Sequence, residues 1–194
     1  MKSPACATVA IAVVLALALP ATAAVADDTE SDWKALKHES KRAKIDEMAG
    51  EALQQVLDGS IKANTLFESA YGWAAFDNLK IAFGFSGGGG NGVAVTKATG
   101  DRTYMKMGTA GVGLGLGGQK YQVVFFFQDA GSFASFVEKG WTADATAQAA
   151  AGTEGANAAA GFVNGVAVWQ ITEKGLMASA DIAGTKYWKN KDLN

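Results

Sequence analysis

Residues 110–118 read Ala-Gly-Val-Gly-Leu-Gly-Leu-Gly-Gly, with glycine at every odd position from 111 to 117 and Val112, Leu114 and Leu116 between them. A period of two is the period of a β-strand, so this segment predicts a strand with one apolar face and one face of bare main chain. Glycine weakens a strand, because it loses more entropy on folding and packs nothing. A row of glycines on one face therefore implies that something lies close against the backbone: a helix, a sharply bent neighbouring strand or a ligand. Residues 80–86 repeat the theme, with Ile81, Phe83 and Phe85 on one side and Ala82, Gly84 and Ser86 on the other. The whole stretch 80–128 predicts a glycine-bent β-structure around which the chain is organised.

The rest of the chain supplies a core to go with it. Its 194 residues suit one domain, and 49% hydrophobic content with only two prolines argues for packing rather than disorder. A formal charge of −2 leaves no basic footprint for nucleic acid. Residues 1–26 have the form of a cleavable leader. Lys2 precedes an apolar run over 9–19, and small-residue cleavage patterns follow, the later one ending at Ala26. The run is short for a membrane span. Cleavage after Ala26 would remove Cys6, the only cysteine, and leave 16 basic against 19 acidic residues, a charge of about −3. The expectation is a single domain over 27–194, periplasmic or secreted, without disulfide or thiol chemistry.

Along that domain, residues 27–39 are polar and suit a frayed helix. Ile45, Met48, Ala49, Ala52, Leu53 and Val56 fall on one helical face, which Gly50 interrupts and Asp58-Gly59 ends. Ser60 is placed to cap a second helix with Ala63, Leu66, Phe67, Ala70 and Tyr71 as its stripe. Short strands are predicted at 73–76, 79–86, 92–97, 102–107, 110–117 and 120–128, with turns at 87–91 and 99–101. Val123 to Phe127 are apolar on both faces, as in a central strand covered from both sides. Asp129 caps an inserted helix with Ala130, Phe133, Phe136 and Val137 on its inner face and Gly140 at its end. Strand-like alternation over 141–151, a loop at 153–157, a hairpin of 161–172 with 176–183, a last strand at 184–188 and a polar tail complete the chain. The predicted class is α+β: a strongly curved, antiparallel, barrel-like, Gly-rich sheet with N-terminal helices and one inserted helix.

The search for reactive groups is mostly negative. Gly113 to Gly118 match G-x-G-x-x-G literally, but a β-like run follows where the dinucleotide fingerprint needs a helix, so no cofactor is expected. His38 is the sole histidine, which argues against a zinc site, and no serine stands in a G-x-S-x-G turn. Asp129, Asp144, Glu154, Glu173 and Asp181 show no spacing that demands an acid–base pair. Lys34, Lys37, Lys41, Arg42 and Lys44 cluster in the first helical region beside Trp33. They fit either a solvated helix face or a surface for anionic lipid headgroups. Trp73, Trp141, Trp169 and Trp188 read as core or hairpin packing.

Several of these segments, in order, resemble the blocks of SYLF-domain proteins. Residues 72–95, with Lys80, Phe83-Gly84-Phe85, Gly87 and Gly92-Val93, are similar to the central block, although Asp77 stands where that family often has proline. Residues 113–127 resemble the next block, and 136–144, with Gly140-Trp141 and Asp144, the Gly-Trp segment. Lys174-Gly175-Leu176-Met177 and Gly184-Thr185-Lys186 resemble the closing hairpin. The resemblance implies a lipid-binding module, one that recognises phosphoinositides in eukaryotic members and in some binds actin. For an exported chain it implies a non-enzymatic domain that binds phospholipid or another amphipathic envelope molecule. Lys34, Lys37, Lys41, Arg42, Lys44 and Lys80 are the candidate headgroup contacts. Phe83, Phe85, Gly113, Gly115 and Gly117 are the candidates for an apolar groove. The alternative is a structural or protein-interaction component of the cell envelope whose glycine face is closed by its own helices.

Overall fold

A computed structural model of the chain describes residues 25–142, 161–173, 175–177 and 184–194. The leader, most of the alternation at 143–151, the loop at 153–157 and residues 178–183 of the predicted hairpin lie outside the described residues. Within these limits the class is α+β with a strongly curved antiparallel sheet. Three helices, α1 (Val25–Gly59), α2 (Ile61–Ser69) and the short α3 (Ala130–Ala134), accompany six strands. These are β1 (Gly72–Thr96), β2 (Arg102–Phe127), β3 (Trp141–Thr142), β4 (Val166–Thr172), β5 (Gly175–Met177) and β6 (Thr185–Lys189).

The chain divides into two compact units, Met1–Leu36 and Lys37–Asn194. In the first, Lys34 pairs with Glu30 at 2.7 Å, and Trp33 and Leu36 are exposed. The sheet and the core belong to the second.

The sheet is built on one long hairpin. β1 and β2 pair from Gly72↔Phe127 to Val95↔Arg102, around a turn that Gly100 closes at φ +73°. This corrects the expectation of six short strands, and of a turn at 87–91 in particular. Gly87 to Asn91 are in-register strand residues, opposite Ala110 to Lys106. The turn falls elsewhere, as a bend of the whole ribbon, where the register slips between Phe83 and Phe85.

Beyond that bend β1 lies back on itself. A Cβ placed on Gly88 would stand 2.7 Å from the Leu79 carbonyl oxygen. On Gly90 it would collide with the Asp77 carbonyl, and on Gly92 with the Ala75 carbonyl and the Phe76 ring. The three contacts step in opposite directions along one strand, so residues 75–80 run antiparallel to 88–92 with their main chains close together. Such an approach suits glycine Cα–H groups against carbonyl oxygens. Asn91 N donates to Asp77 Oδ1 at 3.0 Å across the same seam. The body that lies against the bare main chain is thus the other half of the same strand.

Bending gives β2 two different neighbourhoods. Its first half also pairs with β6, which pairs with β3; its second half also pairs with β4, which pairs with β5. Val123 to Phe127 are fully buried, as their apolar run predicted. Val124 and Phe126 join Ile45, Ala49, Ala52 and Val56 of α1, Ala63 of α2 and Trp169 of β4. The three α1 and α2 alanines let the helices come close, and Phe126 meets Trp169 at 4.5 Å between centroids. Val123, Phe125 and Phe127 point the other way, to Phe76, Phe133, Phe136 and Tyr187. Burial pushes the Tyr187 phenol well above its ordinary range and keeps it neutral.

Local signals hold where side chains cap ends. Ser60 Oγ accepts from Ala63 N at 3.2 Å, and Asp129 Oδ1 accepts from Ser132 N at 2.8 Å. α3 continues as a π-helical turn, Ser135–Lys139, and Gly140 ends it at φ +72°. Phe133, Phe136 and Val137 are buried as expected, but Ala130 is exposed. Three further expectations are corrected. Gly50 does not interrupt α1: it faces open space, so its cost is entropic only. The strand predicted from 161 starts only at Val166, after a tight Val163↔Val166 bridge. The polar tail is not free, since Leu193 and Asn190 are buried.

The glycines of β1 should therefore differ sharply in tolerance. Gly90→Val is expected to cost more than about 3 kcal/mol in urea denaturation or to prevent folding, because main chain cannot yield as a side chain can. Gly87→Ala, facing open space, should stay within about 0.5 kcal/mol of the parent.

Candidate functional site

The basic residues singled out from the sequence separate into three groups. Lys37, Lys41 and Lys44 are exposed and follow one another along α1 at the spacing of a single stripe. None of the three is ion-paired within the described residues. Arg42, by contrast, is used internally: Nε donates to the Leu193 carbonyl at 2.8 Å, and its guanidinium lies 5.8 Å from the Tyr104 ring centroid. Lys80 is half-buried on β1 opposite Gln119. Lys34 belongs to the other unit.

Next to the stripe lies a clasp between helix, sheet and tail. Tyr104 Oη donates to Asp46 Oδ2 at 2.9 Å, and Arg102 Nε stands 3.3 Å from Asp46 Oδ1. The Asn194 side chain treats Tyr104 as a neighbouring strand would. Its Oδ1 accepts from Tyr104 N at 2.9 Å and its Nδ2 donates to Tyr104 O at 2.8 Å. Lys106 Nζ pairs with Asp192 Oδ2 at 3.1 Å. That hydrogen bond and charge, helped by the weaker fields of His38 and Lys41, hold the Asp192 carboxyl below its usual range. Asp192 is therefore where the α1 stripe meets the tail.

A pocket of about 410 Å³ opens beside the seam of β1. Met48 of α1, Leu79 and Ile171 form apolar walls, and Gly89, Gly90 and Asp77 bring main chain and a carboxylate to it. The groove residues expected from sequence sit elsewhere. Phe83 and Phe85 pair with Leu116 and Val112 at the bend, with Gly113 and Gly115 on the strand between those partners. Gly117, opposite Ala82, is exposed. The side chains of 82–85 and 111–116 lie outside the described residues. The signal missed was the Gly87–Gly90 run, which reads as a turn, while Met48 was assigned wholly to core.

Of the acidic residues, Asp129 is occupied by its cap, and the two hydrogen bonds from Ser132 lower its carboxyl pKa. Glu173 lies in the β4–β5 turn, and Asp144, Glu154 and Asp181 lie outside the described residues. Among the described residues no group of three or more His, Cys, Asp or Glu gathers as a metal site, and no helix is long and apolar enough to cross a membrane. Trp169 is core, Trp73 packs half-buried against its cluster, Trp141 packs half-buried against Phe125, Phe136 and Tyr187 on the other side of the sheet, and Trp188 is 39% exposed.

Burial raises the Tyr104 pKa first, and the Asp46 hydrogen bond and charge raise it further. The folded state thus favours the neutral phenol. The stability this contributes is complete below the ordinary tyrosine pKa of about 10 and is lost as pH rises through the higher folded value. Asp46→Asn should bring the Tyr104 titration down toward its ordinary range, read by ultraviolet absorbance of the phenolate. An unchanged titration would show that Asp46 is not coupled to it.

The family described as Las17-binding protein actin regulator, Ysc84, matches residues 108–194. These residues run from the middle of β2 through the tail, so they include α3, the β4–β5 hairpin and β6. The chain is also 43% identical over 152 residues to Beta cell expansion factor A of Aeromonas veronii, which covers 78% of this chain and 58% of that protein. It therefore spans well under two thirds of the length of that curated relative.

Proposed function

Because residues 108–194 carry a domain of the SYLF (Ysc84) family, we propose that this protein is an exported, non-enzymatic module that binds phospholipid, or a closely similar amphipathic envelope molecule, at a membrane surface. The observation that carries this reading is the stripe of Lys37, Lys41 and Lys44, exposed and unpaired on the helix that closes the core. Near an anionic bilayer each such lysine contributes about 1 kcal/mol. Three give weak, reversible attachment, and the pocket beside Met48, Leu79 and Ile171 offers the apolar complement. A buried methylene contributes about 0.8 kcal/mol, so a short covered acyl segment would rival the whole stripe. The leader-like residues 1–26 support the exported setting. An exported chain meets no actin, so the regulation named in the family description does not extend to it. A structural envelope role with the glycine face closed by the chain's own helices is disfavoured, because a Cβ on Gly117, at the end of the 111–117 row, would meet nothing within 4 Å.

Sedimentation of the full chain with phosphatidylglycerol or phosphatidylcholine vesicles tests the reading. Binding to both is expected, tighter to the anionic vesicles and only partly reversed by salt. Lys37→Glu, Lys41→Glu and Lys44→Glu together should weaken anionic binding by at least about tenfold. No association with either vesicle at low salt would overturn the proposal.

A further inference from the structure

The glycines of β1 fall into two classes. Gly88, Gly90 and Gly92 are explained by the seam, since no side chain fits there. Gly87 and Gly89 are not. They belong to the opposite face, where a Cβ on Gly87 would meet nothing and one on Gly89 only an ordinary contact 3.5 Å from the Met107 carbonyl. Internal packing gives no reason for a bare main chain at these two positions.

Directly paired residues share a sheet face, so the register shows what surrounds them. Gly89 is opposite Gly108, which is opposite Lys186 of β6; Asn91 is opposite Lys106, which is opposite Trp188. The Trp188 indole lies over Gly108, closely enough that a Cβ there would sit 3.1 Å from the ring. At the other end of the same face Val93 and Tyr104 are buried with α1 and Leu193. One sheet face is thus half covered by helix and tail. The other half exposes Gly87 and Gly89 and bears Trp188, 39% exposed, with Lys186 and Lys106. Lys186 is exposed and makes no ion pair among the described residues, while Lys106 is shared with Asp192. The tail links the patch to α1, since Asp192 Oδ2 is 3.1 Å from Lys106 Nζ and the next residue, Leu193, accepts from Arg42 Nε at 2.8 Å.

We propose that this open half-face is a second membrane contact, with Trp188 as the interfacial anchor and Lys186 and Lys106 meeting the phosphates of anionic phospholipid. It rests on the phospholipid reading above and extends it to a different surface. The occupant follows from charge and from the ring. Lysines complement an anionic headgroup layer. A tryptophan that is 39% exposed while the edge of its ring rests on the strand suits the depth of the headgroups, where its apolar body and its N–H are both satisfied. The bare positions Gly87 and Gly89 let that layer reach the main chain.

The test uses the full chain and vesicles of phosphatidylglycerol mixed with phosphatidylcholine. Trp188→Ala should weaken binding by about fivefold to tenfold and should do so at high salt as well as low, as the loss of an apolar anchor does. Lys186→Glu, on an exposed side chain that no fold contact needs, should weaken it by about fivefold at low salt only. Tryptophan fluorescence should be quenched by brominated lipid more in the parent than in Trp188→Phe, a variant that keeps a ring over Gly108. If both variants bind like the parent while the Lys37, Lys41 and Lys44 triple variant does not, this face is not in contact although the phospholipid reading stands. If the parent itself binds no vesicle, that reading fails and this one with it. Equal weakening toward dextran sulfate in solution would overturn the bilayer as occupant.

Discussion

Main chain lying on main chain is the constraint from which the rest of this structure follows. Residues 75–80 can rest on 88–92 only because Gly88, Gly90 and Gly92 present no side chain toward the carbonyls of Leu79, Asp77 and Ala75. That contact doubles the β1–β2 ribbon over. Doubling places the first half of β2 beside β6 and the second beside β4, so one strand serves two neighbourhoods. The aromatic interior around Phe76, Phe125 and Tyr187 then forms between the halves, with ring centroids 4.8–6.0 Å apart. Such pairs contribute about 0.5–1.5 kcal/mol each beyond the area they bury. The two contacts with Tyr187 depend on the fold-over, because β6 pairs with the other half of the ribbon, whereas Phe76 and Phe125 are already diagonal neighbours in the paired β1–β2 hairpin.

Much of this was legible in the sequence, though in kind more than in place. Interleaved glycine and apolar residues at 110–118 correctly imply a bare-backbone strand. The five apolar residues Val123 to Phe127 correctly imply a strand buried on both faces. Ser60 and Asp129 announce their helices, because a capping oxygen acts over three residues and needs no tertiary context. What failed depended on contacts distant in sequence. Four consecutive glycines read as a turn on local grounds; the register with residues 107–110 of β2 makes them strand, and the facing segment at 75–80 requires Gly88 and Gly90. Gly50 reads as a break, yet a helix held by Ala49 and Ala52 on its buried face absorbs one entropic penalty. The tail reads as solvent-borne until Tyr104, some ninety positions earlier, supplies partners for Asn190 and Asn194.

The basic residues show the same division. Their clustering between Lys34 and Lys44 is visible in the sequence, but not their employment. Arg42 is tied to Leu193 and Tyr104, while Lys37, Lys41 and Lys44 are left to solvent. Arginine's planar fork suits such a composite internal contact. The flexible lysines beside it remain available to a partner that is itself diffuse. Trp188 reads as packing in the sequence and is packing only in part. The residue as a whole is 39% exposed.

The bend also bears on how the chain reaches this state. Pairing of β1 with β2 is nested around residues 97–101, so zippering outward from that hairpin needs only short loop closures. Folding the ribbon in two is a separate event, which joins Leu79 to Gly88, Asp77 to Gly90 and Ala75 to Gly92. Until it happens, the carbonyls of Ala75, Asp77 and Leu79 and the glycine strip that will cover them stand open, an unguarded strand edge of the kind that recruits other chains. Self-coverage thus replaces the charges and prolines that edges elsewhere use as protection, and the interval before it is when this chain is most exposed to aggregation.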